Sequence, residues 1–114
     1  MSNKINKNIM KEYTKDEVRE QFLDHVRMLI NYWNNVSRKD TKEKLSGLAH
    51  SLLATIDGCS IDLPGFVLAP CPHEEDKQYH IDKGENYYVE NKDVNCDIAG
   101  GLHELIYKKI LKFL

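Results

Sequence analysis

Cys71, His73, His80, Cys96 and His103 are the side chains with which this chain could hold a soft or borderline metal ion. Cys71 and His73 flank a single proline, and on a helix begun at Pro72 the histidines at 73 and 80, seven apart, would share a face. The spacing is nevertheless not that of a zinc site. There is no C-x-x-C pair and no H-E-x-x-H, and His103-Glu104 lacks a second histidine four residues on. No metal and no other cofactor is therefore expected. The same residue types could instead supply a thiol nucleophile. Cys59 follows a predicted helix end and Cys96 precedes a predicted helix start, where the dipole favours a thiolate. Cys96 with His103 is thus the dyad to look for, against the simpler reading of cysteines as buried filler.

A second constellation could bind rather than react. His73, Lys77, Tyr79, His80, Tyr87 and Tyr88 set aromatic faces and hydrogen-bond donors within a short span. Gly100 and Gly101, at the start of the last predicted helix, let backbone N–H groups approach a ligand, and His103 lies just beyond. Together these are the candidate ligand-binding residues, suited to a small planar or phosphorylated molecule. The plainer alternative is a set of tyrosines closing the rim of a small core. The stretch around them is acidic: Glu74, Glu75, Asp76, Asp82, Glu85, Glu90, Asp93 and Asp97 against Lys77, Lys83 and Lys92, eight less three, leave a local charge of -5. Such a field disfavours a phosphate backbone, and no EF-hand spacing is present, so a solvated acidic face is expected.

The element that must position these groups is a helix over 40–58. Leu45, Leu48, Leu52 and Ile56, with Ala49 and Leu53 beside them, recur at the spacing of one helical face. Gly47, Ser51, Ala54 and Gly58 form a small-residue ridge nearly opposite, which predicts a close second backbone. That backbone is either the C-terminal helix, with its Gly100-Gly101 pair, or the same ridge of another subunit across a two-fold axis. A homo-oligomer through Gly47, Ser51 and Ala54 is thus one of two expectations. Asp40 with Glu43 caps the start, and Gly58 ends the helix.

Before it, Thr14 and Glu17 read as a capping box that opens a helix of some 18 residues. Val18, Phe22, Val26, Leu29 and Trp33 form its buried stripe, widened by Leu23, Met28 and Ile30. A short polar turn folds it back antiparallel on the second helix. After Gly58, the run Phe66-Val67-Leu68-Ala69 is too short for a helix and predicts an extended segment across the helices, with Tyr87-Tyr88-Val89 as a candidate pairing strand. A short third helix should run from Pro72 to Lys83, stopped by Gly84. The last should start near Asp97 and bury Ile98, Leu102, Leu105, Ile106, Ile110 and Phe113. The glycine pair in its first turn costs about 1 kcal/mol per residue against alanine.

At 114 residues, 41% hydrophobic and 30% charged, the chain is one ordinary domain. It is expected to be mainly α, about four helices over 14–114, with an irregular or short β segment between the second and last, preceded by a flexible basic arm over 1–13. The net charge of -2 gives no pull towards nucleic acid or anionic membrane, and neither partner is expected. No run is long enough to span a membrane and the first residues lack a signal core, so a cytoplasmic protein is expected.

The motifs EKLSGLAHSLLATIDG, LPGFVLAP and GENYY resemble small proteins of bacteria and their phages built on a Glu-Lys-Leu-x-Gly-Leu-Ala helix, over roughly 42–107. No activity and no catalytic residue comes with that resemblance. It implies a mobile-element accessory protein, such as a phage counter-defence factor. The residues and the resemblance together point to a non-enzymatic binding protein that sequesters a small ligand or a partner protein. The alternative is a small thiol- or metal-dependent hydrolase.

Overall fold

The computed structural model of the chain describes residues 10–90 and 94–111. It is mainly helical: α1 (Lys15–Asn35), α2 (Thr41–Ile56), α3 (Asp76–Asp82) and α4 (Leu102–Leu111). Most of the expected basic arm, and Lys92, Asp93, Lys112 and Phe113, lie outside the described residues.

Both long helices start as their capping residues dictate. The Thr14 hydroxyl accepts from the Glu17 N–H at 3.2 Å and the Glu17 carboxylate accepts from the Thr14 N–H at 2.9 Å. Lys11 adds an ion pair to Glu17 at 2.6 Å. That lysine, and then the Thr14 N–H, hold the Glu17 carboxyl down at about 2. Asp40 and Glu43 form the same reciprocal pair at α2. At its other end Gly58, with φ +90°, closes a Schellman motif, its N–H donating to Thr55 O at 3.1 Å and that of Cys59 to Ala54 O at 2.9 Å.

α2 is the central helix, flanked by α1 on one side and α4 on the other. The small-residue ridge receives α1. A Cβ built on Gly47 would lie 2.4 Å from the Trp33 ring, and the Trp33 indole N–H donates to Ser51 Oγ at 2.9 Å. Further along, His25 meets the Thr55 hydroxyl at 3.0 Å, which itself donates to Ser51 O. On the far side, His50 of α2 packs on Tyr107 of α4, ring centroids 4.8 Å apart.

The segment after α2 is extended but forms no strand, and its partner is not Tyr87–Val89. Phe66 donates its N–H to Ile56 O and sets its ring edge-on to Phe22 at 5.2 Å. Leu68 accepts from the Ile98 N–H at 2.7 Å and donates to Asp97 Oδ1 at 2.8 Å. Two bonds, one of them to a side chain, cannot propagate a ladder. α3 also starts later than Pro72. Asp76 Oδ2 accepts from the His73 N–H, and His73 Nδ1 accepts from the Glu75 N–H, so side chains hold this backbone in a turn until Asp76. Among the described residues α3 touches none of the other helices. With the following 85–90 it forms an outlying arm.

The stripe Val18, Phe22, Val26, Leu29 and Trp33 is half-buried, whereas Leu23, Met28 and Ile30, expected to widen it, are exposed. Among the described residues only Thr55 and Leu63 are buried. No helix among them is long and apolar enough to cross a membrane.

Candidate functional site

The end of α2 and the start of α4 meet through one buried carboxylate. Gly100 and Gly101 have φ of +97° and +81°, a conformation that glycine adopts without strain. They precede α4 rather than forming its first turn, and a Cβ on either would meet nothing within 4 Å. Their role is conformational, not a close backbone approach. Since glycine has no side chain with which to cap, the cap comes from another helix. Asp57, the last residue of the α2 terminus, accepts from the Gly100 N–H at 2.6 Å and from the His103 N–H at 2.9 Å.

The same carboxylate orders a side chain. His103 Nδ1 lies 2.6 Å from Asp57 Oδ2, and its Nε2 lies 3.8 Å from Cys59 Sγ. A thiol, an imidazole and a carboxylate therefore stand in line. The Asp57 side chain is 2% exposed and that of His103 22%, while Cys59 is open to solvent. Burial pushes the Asp57 carboxyl up, but the hydrogen bonds from the His103 ring and from the two backbone N–H groups outweigh it, and the net direction is down. Around this line, the His50 ring lies edge-on to His103 at 5.5 Å, and the exposed Glu104 carboxylate is 3.8 Å from Nε2.

The candidate ligand residues separate into two places. Lys77, Tyr87 and Tyr88 line one shallow depression of about 330 Å³ with Val89 and Glu90, Lys77 lying 5.8 Å from the Tyr87 ring and 3.9 Å from Glu90. Tyr79 and His80 of α3 stand edge-on to one another outside that lining, Lys83 covering Tyr79 and Glu85 facing His80 Nδ1 at 3.2 Å. His73 is engaged in the turn before α3. Gly100, Gly101 and His103 belong to the Asp57 junction, where the Gly100 N–H is already taken. The thiol at His103 is that of Cys59, not Cys96. Among the described residues no three His, Cys, Asp or Glu side chains gather as a metal site.

One further concavity among the described residues was not singled out by the sequence. It is an open apolar groove of about 530 Å³ between the start of α1, the end of α2 and the extended segment. Phe22, Ile56, Phe66 and Leu68 line it, and so do the charged Lys15 and Arg19. Val18, Phe22 and Ile56 were legible as core stripe. What the pattern does not reveal is that, among the described residues, they border an open groove at this end.

No family model, no curated protein and no solved structure matches the chain.

Proposed function

We propose a cytoplasmic, non-enzymatic binding protein that assembles with copies of itself and sequesters a small ligand with an apolar body and an anionic head. The groove carries this reading. Apolar walls with a few placed charged groups are the usual make-up of a ligand site, and its volume suits a molecule of drug or lipid-fragment size. Lys15 and Arg19 bias it against cations. Arg19 is paired with Asp16 at 2.7 Å but remains more than half exposed, free to turn to a ligand. Self-association is supported by the outlying arm, whose Tyr79, Tyr87, Tyr88 and Val89 are each more than half exposed, with no other helix against α3 among the described residues. The ridge of Gly47 and Ser51 is occupied by Trp33, so the arm is the better interface. A counter-defence role rests on the resemblance to bacterial and phage proteins alone.

Calorimetric titration with decanoate and with decyltrimethylammonium tests the ligand class. Decanoate should bind and the cationic analogue should not, and Lys15→Glu with Arg19→Glu should weaken decanoate by about tenfold or more, the loss of one to two charged contacts. Equal binding of both amphiphiles would remove the anionic head from the proposal.

A further inference from the structure

Cys59, His103 and Asp57 are not used by a ligand in the groove, and their arrangement has a chemistry of its own. With Asp57 Oδ2 2.6 Å from Nδ1, the ring proton sits on Nδ1 and the lone pair of Nε2 is directed to the Cys59 side, 3.8 Å from Sγ. Both carboxylate oxygens are engaged, Oδ1 by the Gly100 N–H and Oδ2 by His103. The ring is therefore fixed in place and in tautomer before any substrate arrives. Because the thiol lies beyond the C-terminus of α2, the helix dipole gives no help with its proton, and the imidazole must take it. Cys59 itself is exposed, so an electrophile can reach it.

We propose that Cys59 is a nucleophilic thiol that accepts an acyl group from an activated ester or thioester, with His103 as its base and Asp57 as the positioning residue. In the step, Nε2 takes the Sγ proton as sulfur bonds to the carbonyl carbon. Collapse of the tetrahedral intermediate breaks the bond to the leaving oxygen or sulfur, which carries away the proton held on Nε2. The product is an S-acyl group on Cys59, and no oxidant, reductant or water enters.

The probe is p-nitrophenyl acetate, with the acetylated cysteines located by peptide mass spectrometry. Cys71 is an internal control, since it too is exposed but, among the described residues, makes no hydrogen bond to a histidine. Cys59 should be acetylated about a hundredfold faster than Cys71 or more, the lower end of what a positioned base supplies. His103→Gln should bring Cys59 down to the Cys71 rate without altering Cys71. Asp57→Asn should displace the pH–rate profile at Cys59 and leave that at Cys71 in place, which a purely structural role would not do. Equal rates at Cys59 and Cys71 in the unmodified chain would overturn the proposal whether or not the variants fold. So would a folded His103→Gln chain that keeps the fast rate.

Discussion

Asp57 ties two backbone N–H groups and the His103 imidazole ring together at the junction, and its substitution should be felt accordingly. Hydrogen bonds to a buried charge contribute roughly 1.5–3 kcal/mol each, less what the leftover partners recover from water. Asp57→Ala should thus lower stability by about 2–4 kcal/mol in urea unfolding. Its carboxyl is depressed in the folded chain, so the folded state favours the ionised form. That contribution is complete above the ordinary aspartate value near 4 and is lost as pH falls through the lower folded value. The stability gap between the wild type and Asp57→Ala should therefore be constant from pH 7 to about 5 and shrink below about 4. A gap that widens with acidification would have the sign wrong. This residue was hidden in the sequence for a definite reason. Asp57-Gly58-Cys59 reads as a helix end, and its partner His103 lies 46 positions away, a pairing that no local periodicity encodes.

Elements were far more legible than sites. Capping boxes and the Gly58 stop are local chemistry, so the starts of α1 and α2 and the end of α2 follow from neighbouring residues. The short β pairing was not legible, because it depended on which segment Phe66–Ala69 meets; Asp97 and Ile98 meet it instead. The small-residue ridge implied a close second backbone, of the C-terminal helix or of another subunit, whereas the Trp33 ring of α1 is what lies against Gly47 and Ser51. Gly47→Ala offers a test. In an open helix it would stabilise by about 1 kcal/mol. Here the added carbon would lie 2.4 Å from an indole that is tethered to Ser51, so the helices must part. Net destabilisation of about 1–3 kcal/mol is expected, as for other overpacked sites, read from the urea midpoint. A more stable variant would mean that Trp33 swings away freely.

The whole molecule is thin and open. Its principal extents are 66 × 43 × 18 Å and its radius of gyration is 19.3 Å, against roughly 13 Å for a compact domain of this length. With only Thr55 and Leu63 buried among the described residues, one copy excludes little apolar surface from water, and a chain in that state is marginal. The self-association proposed above would be a physical remedy. At tens of micromolar, light scattering on a sizing column should report at least two copies, and Tyr88→Glu on the outlying arm should yield a folded monomer. A monomeric wild type would remove self-assembly from the account. The central claim, capture of an anionic amphiphile in the groove, is tested most directly by locating the ligand. Amide chemical shifts should be followed in an isotope-labelled sample titrated with decanoate. Perturbations confined to the groove walls, at Val18, Phe22, Ile56, Phe66 and Leu68, are predicted. Perturbations centred on Lys77, Tyr87 and Tyr88, or none at saturating decanoate, would contradict it.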